Sequence, residues 1–154
     1  MNARRGEAPA SADDRALSLK LFVVLSKAYN AMMARSVKEM KKQGLSESEF
    51  TVLELLYHKG KFPLHRIGER LLATSGGITY TIDKLEGKGL LRRVACPADR
   101  RVTYAEITEE GAALMGGIFP AHAAFIEEMF RGIAPEEKRL AIELVKKIGK
   151  SAQR

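Results

Sequence analysis

The chain has 154 residues and is 45% apolar, enough for one cored domain with extensions. No apolar run approaches the ~20 residues that span a bilayer. Met1 to Gly6 lacks the apolar stretch of a leader, and a single cysteine, Cys96, leaves no intrachain disulfide framework, so a cytoplasmic protein is expected. The net charge is +7, and the segment from Lys59 to Tyr104, with ten basic and four acidic residues, holds +6 of it, which suits a polyanionic partner.

In chain order, residues 1–13 are small and polar and are expected to form a disordered tail. Leu19, Phe22, Val23, Ser26, Asn30, Met33, Val37 and Met40 then recur at steps of three and four, predicting one long helix over 14–44 that ends before Gly44. One small core cannot cover a helix of that length, so a second subunit is expected against it. Ser46-Glu47-Ser48-Glu49 has the capping-box pattern, opening a second helix that stops near Gly60. Pro63 is expected to open the third helix, with Leu64, Ile67 and Leu71 inward.

Thr74 is expected to cap a fourth helix, with Ile78, Ile82 and Leu85 inward and Gly89 as its C-terminal cap. The period then changes. Leu91–Ala95 and Arg101–Ile107 read as the strands of a hairpin whose tip, Cys96 to Arg100, is charged and turn-rich. Thr108 caps a fifth helix, which Gly116, Gly117 and Pro120 can kink or break. Pro135 opens the last, with Leu140, Ala141, Leu144, Val145 and Ile148 inward.

The predicted fold is mainly α with a small β-hairpin: a winged helix-turn-helix over 45–108, flanked by dimerisation helices over 14–44 and 109–154. The second helix of a helix-turn-helix enters a major groove with its N-terminal residues against base edges. Here those residues are Ser75, Gly76, Gly77, Thr79 and Tyr80. Small side chains permit close approach and hydroxyls can read bases. Lys84, Lys88, Arg92 and Arg93 are placed to reach phosphates. At the wing tip, Arg100 and Arg101 suit a narrow minor groove, and Asp99 can hold an arginine extended. A winged-helix module that docks a protein partner without specific DNA binding is the alternative.

The run from Ile67 to Leu90, containing Asp83-Lys84-Leu85-Glu86-Gly87-Lys88-Gly89-Leu90, is followed by Pro97-Ala98-Asp99-Arg100-Arg101 and by Ile107-Thr108-Glu109-Glu110-Gly111. In order and spacing these stretches closely resemble the multiple antibiotic resistance regulator (MarR) family, over about residues 15–150. The resemblance implies a homodimer whose two lobes read a pseudo-palindromic operator in double-stranded DNA. It implies that Arg101 enters the minor groove buttressed by Asp99, with Arg100 on the backbone. It also implies repression relieved by a small aromatic or phenolic ligand, for which Phe22, Tyr29, Met33 and Phe50 are the candidate lining residues. The chain departs from the family at Tyr80, where an arginine is frequent, so a bidentate guanine contact is lost there.

No catalytic group or cofactor is expected: no nucleophile lies beside a plausible base, and Gly76-Gly77 lacks the lysine and preceding strand of a phosphate loop. His58, His65 and His122 lack metal-ligand spacing, so no metal is expected. Arg92, Arg93, Arg100 and Arg101 flank Cys96 in sequence, and positive neighbours favour a thiolate. A thiol-based redox or electrophile sensor acting through Cys96 is thus a second alternative, set against a passive wing residue.

Overall fold

A computed structural model describes residues 11–71 and 75–153. Six helices and three strands follow in order: α1 (Ala12–Lys42), α2 (Glu47–Lys59), β1 (Lys61–Pro63), α3 (Leu64–Leu71), α4 (Ser75–Gly87), β2 (Leu91–Ala95), β3 (Thr103–Ile107), α5 (Glu109–Met129) and α6 (Pro135–Ala152). The expected cap Thr74 lies outside the described residues.

Local chemistry sets most boundaries. Ser11 caps α1 by accepting from the Asp14 N–H at 3.1 Å, so the helix starts two residues before the expected position 14. Ser46 caps α2 through the Glu49 N–H at 3.2 Å. Gly44, Gly60 and Gly89 all have φ between +72° and +74°, the left-handed conformation that lets a chain leave a helix at little steric cost. At Gly89 the turn is closed by Leu90 N–H to Leu85 O (3.0 Å) and Gly89 N–H to Glu86 O (2.9 Å). Pro120 lies within α5, yet the helical run is unbroken from Glu109 to Met129.

The sheet is antiparallel in the order β1-β3-β2. β2 has the expected bounds, and β3 begins at Thr103 rather than Arg101 because the tip turn takes Arg100 and Arg101. β1 was not anticipated. It is only three residues, Lys61 pairing Glu106, Phe62 pairing Ala105 and Pro63 pairing Tyr104, and it ends in the proline expected to open α3. Proline lacks the N–H that an interior strand needs, and an edge strand tolerates that.

The core belongs to the winged lobe. Val52, Leu53 and Leu56 of α2, Ile67 of α3, Ile82 and Leu85 of α4, Leu91, Ala105, and Met115 of α5 are each at most 1% exposed. Each such large aliphatic side chain contributes about 1.5–3 kcal/mol. The outer helices differ sharply. α6 has no buried residue; of its expected inward stripe, Leu140, Ala141, Leu144 and Val145 are exposed in a single chain and Ile148 is half-buried. Leu19, Phe22 and Val23 of α1 are likewise exposed, and only Ser36 and Met40 of that helix are buried.

Four residues lock the wing between its neighbours. The Thr108 hydroxyl donates to the Gly89 carbonyl at 2.6 Å and accepts from the Gly111 N–H at 3.1 Å. The Thr108 N–H donates to the Leu90 carbonyl at 3.2 Å. Gly111 lets α5 come this close: a methyl there would be driven into the Leu90 carbonyl oxygen and lie 2.9 Å from Cγ1 of Ile107.

Candidate nucleic-acid interface

The N-terminal turn of α4 begins at Ser75, and Gly76, Gly77, Thr79 and Tyr80 on it are exposed, Tyr80 at 68%. Among the described residues, nothing outside its own helical turn lies within 4 Å of where a Cβ on Gly76 would stand, so tertiary packing against them places no demand for glycine there. Thr81, one residue beyond Tyr80, turns inward and donates its hydroxyl to the Gly77 carbonyl at 2.9 Å.

The four cations expected to face phosphate are each paired with acids of the same chain. The Lys84 ammonium lies 2.8 Å from one oxygen of Glu49 and the Lys88 ammonium 2.6 Å from the other. Arg93 spans Asp83 at 2.5 Å and Glu86 at 2.6 Å, and Arg92 meets Glu106 across the hairpin at 2.6 Å. The Glu49 carboxylate therefore does not turn back to complete a capping box; it is 2% exposed and serves α4. Burial pushes its proton affinity up, but hydrogen bonds and charge from Lys84 and Lys88 outweigh burial and hold it below the ordinary value of 4.5. The same bond raises Lys84, so the pair stays ionised at neutral pH.

At the wing tip Asp99 and Arg101 are paired. The Val102 N–H donates to the Asp99 carbonyl at 3.0 Å, putting Arg100 and Arg101 at the centre of a tight turn. The Asp99 carboxylate accepts from the Arg101 backbone N–H at 3.0 Å, from Nε at 3.1 Å and from Nη2 at 3.4 Å. Those bonds hold the Asp99 carboxyl below its usual range. Arg101 nevertheless remains 91% exposed. An aspartate accepting from the N–H two residues on is a common turn device; here the same oxygen also orients the guanidinium.

The four expected ligand-lining residues do not meet in one chain. Phe22 is 72% exposed and Tyr29 58%, while Phe50 is 2% exposed; Met33 is half-buried. Phe50 lines a cavity of about 30 Å³ with Met40, Gln43, Ile118 and His122. Phe22 sits 18 residues before Met40 on the uninterrupted α1, roughly 27 Å along the axis. His122, which sequence reasoning did not connect to Phe50, packs on it with ring centroids 4.5 Å apart. His58 packs edge-on against Phe119 at 5.1 Å. Among the described residues no group of three His, Cys, Asp or Glu side chains is arranged to hold a metal. Cys96 is half-buried, and three of the four arginines near it in sequence are tied to acids.

The MarR family model matches residues 45–103, the segment from the cap of α2 to the start of β3. The HTH-type transcriptional regulator MhqR of Bacillus subtilis is 52% identical over 136 residues, covering 88% of this chain and 94% of that protein. Among solved structures, AbsC of Streptomyces coelicolor, a MarR family transcriptional regulator, superposes with a TM-score of 0.80 at 19% identity, covering 96% of this chain and 99% of that one. BpsR of Bordetella bronchiseptica, whose DNA binding is regulated by 6-hydroxynicotinic acid, superposes with a TM-score of 0.73 at 24% identity, covering 84% and 98%.

Proposed function

The chain belongs to the MarR family of transcriptional regulators, and on that premise we propose that it is a dimeric repressor, released from a pseudo-palindromic operator by a small aromatic ligand. Family membership makes it a DNA-binding regulator rather than an enzyme. The observation that carries the finer reading is the wing tip, where Asp99 orients the guanidinium of an almost fully exposed Arg101. An arginine oriented before binding loses less rotamer freedom on entering a minor groove. The exposed turn from Gly76 to Tyr80 supports base reading by α4, since the glycine at 76 relieves no internal contact. Arg100 belongs to the DNA backbone in this reading. Lys84, Lys88, Arg92 and Arg93 contribute through the shape of the lobe.

Exposed apolar surface supports the dimer. Leu17, Leu19, Phe22, Val24 and Tyr29 of α1 and Leu140, Ile142, Leu144 and Val145 of α6 are each more than half exposed. Stripes of this kind on two helices mark an interface. Sedimentation at micromolar concentration is expected to give twice the mass of one chain; a monomer there contradicts this reading.

The ligand site is proposed beside Phe50 and His122. In a single chain that cavity, at about 30 Å³, has room for about one water. An aromatic ring can enter only if α1 moves against α2 and α5, and such movement changes the spacing of the two lobes. BpsR, whose DNA binding is regulated by 6-hydroxynicotinic acid, supports this class of effector.

A gel-shift titration against DNA from upstream of the chain's own coding region tests the function. Affinity is expected to fall linearly with salt on a logarithmic plot, by about 0.9 per phosphate neutralised. Salt-independent binding, or equal affinity for unrelated DNA, contradicts it.

A further inference from the structure

The stripe Ile78, Ile82 and Leu85 seats α4 on the core, but apolar packing is non-directional and leaves the helix free to roll by small angles. At about 100° per residue, Lys84 and Lys88 lie on one flank of that stripe and Asp83 and Glu86 on the other. Each flank is gripped from a different element: Glu49 of α2 holds Lys84 and Lys88, and Arg93 of β2 holds Asp83 and Glu86. The grips differ in burial. Arg93 is one-third exposed, whereas Glu49 is 2% exposed, with its two oxygens divided between lysines one helical turn apart. Two anchors a turn apart on one face fix a line along the helix, not merely a point.

We propose that Glu49 is the positioning residue of the recognition helix: its buried carboxylate, clamped between Lys84 and Lys88, sets the roll of α4 and hence which atoms of Gly76, Thr79 and Tyr80 face the bases. This rests on the DNA-reading function proposed above. At a side-chain radius of 5–6 Å, a roll of 20° moves a contact atom by about 2 Å, well beyond the tolerance of a hydrogen bond. The two lysines are committed to Glu49 and do not serve as phosphate contacts. Removing the Glu49 charge therefore costs specificity and not general affinity.

The test uses the full chain carrying Glu49→Gln, which keeps the shape and removes the charge. Binding to the upstream fragment and to unrelated DNA is measured across a salt series, with a thermal melt to establish that the variant is folded. The expected result is about a tenfold loss on the upstream fragment, with affinity for unrelated DNA and both salt slopes retained. An equal loss on both DNAs, or no loss on either, overturns the proposal. A second variant, Glu49→Gln with Lys84→Gln and Lys88→Gln, removes all three charges together and leaves neither lysine without its partner. It is expected to show the same loss of preference with an unchanged slope; a slope lowered by about 1.8, the equivalent of two phosphates, makes the lysines DNA contacts and overturns their assignment to Glu49. A wild-type chain with no preference for the fragment overturns the repressor reading and this one together, whereas a Glu49→Gln chain that matches a discriminating wild type overturns this one alone.

Discussion

Arg101→Ala weakens binding to the upstream operator by about 1–3 kcal/mol, the worth of one good nucleic-acid contact, or about 5- to 150-fold in affinity. Arg101 is 91% exposed, so its removal opens no cavity and the melting temperature stays that of wild type. The loss is therefore a binding effect. Fluorescence anisotropy with labelled operator measures it, and unchanged affinity sinks the minor-groove assignment. Asp99→Ala acts in the same direction and more weakly. The guanidinium remains, but its two bonds to the carboxylate and the backbone N–H bond beside them are gone, and the side chain must be ordered on binding. An Asp99→Ala chain that bound operator as tightly as wild type would show that preorganisation contributes nothing.

Gly111→Ala is expected to destabilise the fold by about 2 kcal/mol. Overpacking costs about 3 kcal/mol, because the obstructing atom is the backbone oxygen of Leu90, which cannot swing aside. Alanine recovers about 1 kcal/mol of helix propensity. For a chain of this length the melting temperature drops by about 4–8 °C. Gly117→Ala in the same helix is the control. Among the described residues nothing outside its own helical turn lies within 4 Å of its Cβ position, so only the propensity gain remains and stability holds or rises. If both variants melt alike, the close approach at Leu90 does not constrain the fold. Gly111 also explains the physical content of the Ile107-Thr108-Glu109-Glu110-Gly111 stretch. Threonine caps α5 and ties it to the end of α4, and glycine admits the contact.

Features built by neighbours in the chain were legible from the sequence. The ends of α1, α2 and α4 at Gly44, Gly60 and Gly89 follow from the left-handed conformation each adopts. β2 was readable because alternation and a turn-rich tip bound it. Asp99 and Arg101 are two residues apart, so their pairing is a property of one turn. β1 was not legible, since three residues ending in proline show no alternation and the strand exists only by pairing with β3.

The residues themselves thus determined the order of the helices, the hairpin, the wing-tip geometry and the family, because each rests on interactions spanning a few positions. Only the tertiary structure decided what the charges do. Lys84 and Lys88 are outward cations on any helical wheel, yet Lys88 meets an acid 39 residues away. Glu49 reads as half of a capping box until the packing of α2 on α4 buries it. The tertiary structure also decided that α6 buries nothing within one chain. Periodicity identifies an apolar face but cannot say which surface covers it, since hydrophobic attraction has no direction.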